Sequence, residues 1–140
     1  PPDGTPQFWL LNLGETHYPY MLQADPALPH IHGVHGVYKH LDDFVGEIPA
    51  TPAPAGDHGG RAAEWFDAAT LQRMRNQQVR CVEHLDEELG RLFARLPRNT
   101  WVIVTADHGE CFGEDGFFGH GPVMHECVFT VPFVEGLVPA

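Results

Sequence analysis

Asp107 and His108 are the side chains whose types and positions most clearly indicate chemistry. They directly follow the short apolar run 101–105, which has the length and composition of a buried strand. In open α/β sheets, ligands collect beyond the carboxyl ends of strands. A carboxylate oxygen beside an imidazole nitrogen offers two ligands to a divalent cation. We therefore predict that Asp107 and His108 bind a metal ion.

The segment after His108 is rich in glycine, carboxylates and histidines, which suits a loop that holds a metal and an anion. His120 lies within it. We interpret Glu110, Glu114 and Asp115 as loop charges or backbone caps.

A long amphipathic helix is predicted for 61–96, where Pro97 ends the pattern. Its apolar stripe consists of Leu71, Met74, Val82, Leu85, Leu89, Leu92 and Leu96. Apolar runs at 7–13 and 101–105 flank the helix and predict strands. Strand, helix and strand in this order predict a parallel βαβ unit. A third strand is predicted for 128–134, and Trp9, Trp65 and Trp101 are predicted core aromatics.

Residues 18–60 are rich in proline, glycine and histidine and predict a long irregular loop, with a helical turn near 37–44. His30, His32 and His35 could together bind a transition metal. Because no carboxylate follows before Asp42, we favour a polar loop over a metal site here.

Composition limits the classes of function. A net charge of -11 with only 8 basic residues excludes a nucleic-acid footprint, and no apolar run reaches the roughly 18 residues of a membrane span. Cys81, Cys111 and Cys127 lack paired spacing, so we expect reduced thiols; this favours the cytoplasm but leaves the compartment open. We expect a single partial domain over 1–140, with further sequence upstream of Pro1.

Several short motifs resemble the sulfatase branch of the alkaline phosphatase superfamily. They occur in the order typical of that family and cover most of the chain outside the proline-rich loop. The matching segments are 11–20, 105–110, 113–121, 126–132 and the helical Leu85-Asp86 pair. The resemblance implies an α/β fold of the alkaline phosphatase/sulfatase type: a partial, mostly parallel sheet with a long crossover helix.

The resemblance also implies roles for individual residues. Asp107 and His108 correspond to metal ligands, His17 to a histidine that contacts the sulfate or phosphate, and His120 to a residue near the leaving-group oxygen. The expected cofactor is a divalent metal ion: Mn, Zn or Ca. The Asp–His pair favours a transition metal, because Ca prefers an all-oxygen shell.

The chain also departs from the family pattern. None of Cys81, Cys111 and Cys127 lies in the Cys-x-Pro-x-Arg context of the sulfatase nucleophile, and Thr130 occupies a position where many members carry arginine. We therefore predict the carboxyl-terminal portion of a metal-dependent sulfate-ester hydrolase, inactive by itself because the nucleophile-bearing half is absent.

Two alternatives remain open. One is a phosphoryl-transfer enzyme of the same superfamily, a phosphomutase or phosphoglycerol transferase, which the Thr-Ala-Asp-His-Gly run at 105–109 also resembles. The other is a metal-binding module without catalysis. The expected partner is a small-molecule sulfate or phosphate ester, with no nucleic acid or membrane; unpaired sheet edges would allow a homo-oligomer.

Overall fold

The computed structural model describes residues 4–20, 22, 25, 67–121 and 123–138. The predicted metal cluster at His30, His32 and His35, the helical turn near 37–44 and Trp65 lie outside these residues.

Helix α1 spans Ala68–Phe93. It begins at Asp67, whose carboxylate accepts a hydrogen bond of 2.7 Å from the backbone N–H of Thr70. This bond holds the pKa of Asp67 below its ordinary value. The predicted end at 96 is too late, because the ring of Pro97 conflicts with a helical carbonyl at Phe93. The chain instead closes with i to i+3 bonds from Arg95 and Leu96.

The apolar stripe of α1 is confirmed in its first half and shifted in the middle. Leu71, Met74 and Cys81 are buried, and Gln77 is buried between them. Val82, which we predicted to belong to the stripe, is exposed. The helix therefore presents the side of Cys81 to the rest of the molecule.

Two small sheets follow α1. Strand β1 spans Trp101–Thr105, as predicted, and pairs antiparallel with β4 at Phe133–Leu137. Between them, β2 at Cys111–Phe112 and β3 at Phe118–Gly119 form a hairpin. Its turn is the 3-10 segment Glu114–Gly116.

The hairpin packs against α1 and against two buried tyrosines. A Cβ at Gly113 would lie 2.8 Å from the Leu71 side chain, so helix and hairpin approach closely at this glycine. The Tyr18 ring contacts Phe118 with centroids 6.4 Å apart, and the Tyr20 ring contacts Phe112 at 5.9 Å. These contacts fix the hairpin relative to the segment that carries His17.

The third predicted strand begins later than expected. Residues 128 and 129 belong to the short helix α2, Glu126–Phe129, and β4 starts only at Phe133. The side chain of His125 starts α2 by accepting a hydrogen bond from the backbone N–H of Cys127. This cap gives the segment a local helical turn that its apolar composition does not reveal.

The predicted parallel βαβ unit does not appear in the described part of the chain. Residues 7–13 form no strand, and Phe8, Trp9 and Leu10 are exposed. Thr105 Oγ1 donates to the carbonyl oxygen of Pro132 over 2.9 Å. The start of β4 thus lies beside the carboxyl end of β1, and the two strands pair antiparallel.

The prediction that Trp9 and Trp101 are core aromatics is wrong, since both are exposed. An apolar run favours burial, but burial also requires another layer of the protein to pack against it. Among the described residues, no such layer covers the Trp9 and Trp101 rings. The buried side chains instead lie between α1, the hairpin and α2; they include Tyr18, Tyr20, Met74, Cys81, Cys111, Phe118 and Val128. Among the described helices, none combines the length and apolarity needed to cross a bilayer.

Candidate metal and anion site

Three histidines meet beyond the carboxyl end of β1. The His108 and His120 rings stack with centroids 3.8 Å apart and planes inclined by 25°. The His17 ring lies 5.4 Å from His120 and 6.5 Å from His108, edge-on to both. The structure therefore brings together three of the four residues that we predicted to be functional.

His17 is held by a turn anchored on α1. Its backbone N–H donates to the carbonyl of Gly14 over 3.1 Å, and its own carbonyl accepts from Tyr20 over 2.8 Å. The Gln78 side chain of α1 donates to the carbonyl of Thr16 over 3.3 Å. Gln78 therefore ties the His17 turn to the helix.

In the segment that follows β1, exposed and buried side chains alternate. The Asp107 side chain is 89% exposed, whereas that of His108 is 28% exposed and that of Glu110 only 3%. In extended chain, residues i and i+2 share a side. His108 and Glu110 therefore point toward the histidine group, and Asp107 lies on its rim, with Oδ1 3.7 Å from His108 Nε2.

Gly109 makes this arrangement possible. Its N–H donates to the carbonyl of Val128 over 2.8 Å, and a Cβ here would lie 1.9 Å from the carbonyl oxygen of Cys127. No side chain fits into that space. Helix α2 therefore packs directly on the backbone between His108 and Glu110.

Hydrogen bonds at Nδ1 orient the two outer histidines. His17 Nδ1 lies 2.8 Å from the carbonyl oxygen of Tyr18, and His108 Nδ1 lies 2.9 Å from that of Gly109. A carbonyl can only accept, so Nδ1 carries the proton in both rings. When each ring is neutral, its Nε2 is left with a lone pair, which is the form in which imidazole binds metals.

Glu110 and His120 form a buried pair, with Oε1 and Nδ1 3.0 Å apart. Burial raises the pKa of Glu110 to about 8. Burial, with smaller contributions from His108 and His17, lowers the pKa of His120 to about 4. Both shifts favour the neutral forms; in a neutral pair, the carboxyl group donates to Nδ1 and the ring proton of His120 lies on Nε2.

By distance, His108, Glu110 and His120 could together hold a divalent cation, provided that Glu110 and His120 gave up the protons of their neutral pair. One ligand atom each from His108, Glu110 and His120 lies within 4.8 Å of the others. Ligands at the usual metal distances of about 2.0–2.2 Å lie at most about 4.4 Å apart across one ion, so these atoms are near the spacing that a metal requires. Two nitrogens and one oxygen suit Zn or Mn better than Ca. Asp107 lies beside this group and not within it, so its role as a ligand stays a prediction.

Sequence reasoning missed Glu110, which we interpreted as a loop charge or cap. The available signal was its i+2 relation to His108 in an extended segment. The interpretation holds for Glu114, which accepts a hydrogen bond from the backbone N–H of Phe112.

A second carboxylate–histidine pair lies in the same loop. Asp115 Oδ2 is 3.2 Å from His125 Nε2, and the Asp115 side chain is 83% exposed. His125 Nδ1 accepts from the N–H of Cys127 over 3.1 Å. Both ring nitrogens of His125 are thus engaged within the protein.

The three cysteines are free, as expected for reduced thiols. Burial, reinforced by the neighbouring Cys127 and by carboxylates, raises the pKa of Cys111 to about 12. Burial also raises the pKa of Cys127. Since the thiolate is the nucleophilic form, neither Cys111 nor Cys127 is an activated nucleophile at neutral pH.

Comparison with known proteins agrees with the motifs. The Sulfatase family model matches residues 1–134. The chain is also similar to the uncharacterized sulfatase YidJ of Escherichia coli strain K12, with 23% identity over 141 aligned positions that include 92% of this chain and 26% of the relative. The chain thus spans about a quarter of that relative's length. No solved structure gives a significant match.

The family implies an α/β fold of the alkaline phosphatase type, although the strand pairs among residues 101–138 are antiparallel and do not confirm a mostly parallel sheet. Because the family model extends over nearly the whole chain, including all three clustered histidines, this protein belongs to the sulfatase family.

Proposed function

We propose that this chain supplies the metal- and anion-binding part of a metal-dependent hydrolase of sulfate esters. The observation that carries the proposal is the convergence of His17, His108 and His120 beyond β1, with Glu110 buried among them. Family membership and the similarity to a relative named as a sulfatase support the substrate class.

His108 and Asp107 are the proposed metal ligands, whereas Glu110 and His120 are assigned to each other because they already form a pair. His108 has its Nδ1–H bonded to a backbone carbonyl, so its Nε2 lone pair is free for a cation. The Asp107 carboxylate, 3.7 Å from that nitrogen, adds negative charge at the same edge. A bound divalent ion would act as a Lewis acid that stabilises charge on the ester oxygens.

His17 and His120 are the proposed contacts to the anionic ester. In the neutral pair with Glu110, Nδ1 of His120 accepts a hydrogen bond and the ring proton is on Nε2. An N–H in this position can donate to a sulfate oxygen. If it passes its proton to a departing alkoxide, the Glu110 proton would move to Nδ1, so that the ring stays neutral and the charge ends on the Glu110 carboxylate. His17, edge-on to the His120 ring, borders the same space from the opposite segment of the chain.

The nucleophile is proposed to lie outside the described residues. The raised pKa values of Cys111 and Cys127 support this, since both thiols stay protonated at neutral pH. The chain by itself is then expected to bind metal and sulfate without turning over an ester.

Metal binding tests the ligand assignment. We expect isothermal titration with Zn²⁺ or Mn²⁺ to give one ion per chain for wild type, and strongly reduced binding for His108→Ala and Asp107→Ala. Asp115→Asn is the matched control, because Asp115 is a comparably exposed carboxylate in the same loop. Equal metal binding by wild type and His108→Ala would contradict the assignment.

Turnover tests the reaction. Aryl sulfate and bis-aryl phosphate are offered to the metal-loaded chain, and both should remain intact. Metal-dependent cleavage that disappears in Asp107→Ala would show that the chain is catalytic by itself. Preferential cleavage of the phosphate ester would favour the phosphoryl-transfer alternative over the sulfatase.

A further inference from the structure

We propose that Glu110 is a positioning residue for His120: it holds the ring by Nδ1, so that Nε2 is the nitrogen that meets the anionic ester. This inference rests on the proposed function and adds a residue to which neither the motifs nor the family gave a role.

The hairpin register places the two residues opposite each other. Cys111 faces Gly119, and Phe112 faces Phe118, in the antiparallel β2–β3 pair. Continuing the register by one position brings Glu110 opposite His120. Facing residues of antiparallel strands have side chains close enough to interact. The observed contact of 3.0 Å between Oε1 and Nδ1 is therefore a consequence of backbone pairing.

Two further contacts limit how His120 can turn. Its face stacks on the His108 ring with centroids 3.8 Å apart, while its Nδ1 edge is held by Glu110. The Glu110 side chain is 3% exposed and that of His120 is 14% exposed, so water competes little for the contact. Among the described residues, none hydrogen-bonds to His120 Nε2.

His125, in the same loop, has no ring nitrogen available for a ligand. Its Nε2 contacts Asp115, and its Nδ1 caps α2. Of the two pairs Glu110–His120 and Asp115–His125, the first combines a fixed ring with a nitrogen that remains available.

The test combines a spectroscopic signature with a binding measurement. Protein carrying ¹⁵N-labelled histidine is prepared as wild type, Glu110→Leu and Glu110→Gln, and His120 is assigned from His120→Ala. We expect Glu110→Leu to move the Nδ1 resonance of His120 and to weaken binding of inorganic sulfate by about tenfold with Zn²⁺ present, the change expected from one lost hydrogen bond. Glu110→Gln, which keeps a hydrogen-bonding side chain, should retain affinity within about threefold of wild type.

A double-mutant cycle separates positioning from general damage to the fold. If Glu110 acts through His120, Glu110→Leu changes sulfate affinity in wild type and has no effect in a His120→Ala background. Asp115→Asn is the control for a lost carboxylate in this loop and should leave the His120 resonances and sulfate affinity unchanged. If Glu110→Leu does not fold, the same cycle is measured with Glu110→Ala.

Unchanged His120 resonances in Glu110→Leu would overturn the proposal, as would a loss of sulfate affinity that persists without His120. Failure of the proposed function has a different appearance. In that case the wild-type protein itself binds neither Zn²⁺ nor sulfate, whereas failure of positioning alone leaves wild-type binding intact.

Discussion

Two carboxylate–histidine pairs in one loop have the same sequence spacing and similar contact distances, but their carboxylates differ in burial. Glu110 and His120 are ten residues apart with 3.0 Å between Oε1 and Nδ1; Asp115 and His125 are also ten residues apart, with 3.2 Å between Oδ2 and Nε2. The first carboxylate is buried and the second is exposed. Similar contact distances therefore do not imply similar electrostatic environments.

Burial gives the first pair its particular electrostatics. Desolvation opposes the charged form of both partners, which raises the pKa of Glu110 and lowers that of His120. In the second pair the Asp115 side chain is 83% exposed, although that of His125 is only 17% exposed, so water competes for the carboxylate and the contact contributes little to stability. A carboxylate–imidazole contact is thus buried in one place, whereas in the other it joins an exposed carboxylate to the histidine that caps α2.

The largest expected effect comes from Gly109→Ala, which tests whether the buried pair depends on the close approach of α2. The new Cβ would clash with the Cys127 carbonyl oxygen at 1.9 Å, and backbone has to move. We expect a loss of about 3 kcal/mol or more in the free energy of unfolding, measured by urea denaturation.

Gly90→Ala is the control for that substitution. Gly90 lies in α1, and nothing is within 4 Å of its ideal Cβ, so alanine should stabilise the protein by up to about 1 kcal/mol. A Gly109→Ala variant as stable as wild type would show that α2 can shift without cost.

A smaller effect is expected from pH. Folded Glu110 keeps its proton up to about pH 8, whereas the unfolded residue ionises near 4.5, so its contribution lowers stability as pH rises between these values. Folded His120 resists protonation down to about pH 4 against 6.5 unfolded, so its contribution raises stability with pH up to 6.5. The two oppose each other below 6.5, and only Glu110 acts above it.

We therefore expect the metal-free protein to lose about 2 kcal/mol of stability between pH 6.5 and 8, the product of that interval and roughly 1.4 kcal/mol per pH unit. Urea unfolding at both pH values measures the loss. Glu110→Gln cannot ionise and should flatten the dependence, while Asp115→Asn should keep it. A slope shared by wild type and Glu110→Gln would assign it to another group.

The smallest effect is expected for the exposed pair. Asp115→Asn removes one charge from a solvated contact and retains a residue type that tolerates the positive φ of 49° at this position. The free energy of unfolding should change by less than about 1 kcal/mol, with little dependence on salt. A loss as large as that of Gly109→Ala would mean that the two pairs are energetically equivalent.

Local patterns predicted some elements well. The bounds of β1 and the buried Leu71 and Met74 of α1 follow from short-range apolar patterns. The motifs at His17, His108 and His120 identified residues that the fold then brings together. In each case the relevant pattern lies within a few neighbouring residues. It does not depend on which distant segment packs against it.

The remaining features depend on contacts between distant segments, which local sequence patterns do not specify. Residues 7–13 have the composition of a strand, but no described strand pairs with them. The start of β4 was misplaced because His125 caps a helical turn at 126. Glu110 was missed because its burial depends on the register of β2 and β3, which are only two residues each and have no visible periodicity.

The β2–β3 ladder has a consequence for comparing this protein with its relatives. Glu110 and His120 face each other because of which backbone positions pair, whereas the count of residues between them is set by the intervening turn. A relative whose turn is longer or shorter keeps the same juxtaposition as long as the two ladder pairs persist. Alignments that demand a constant interval between an acidic residue and a histidine would overlook such proteins, and a search by ladder position would find them.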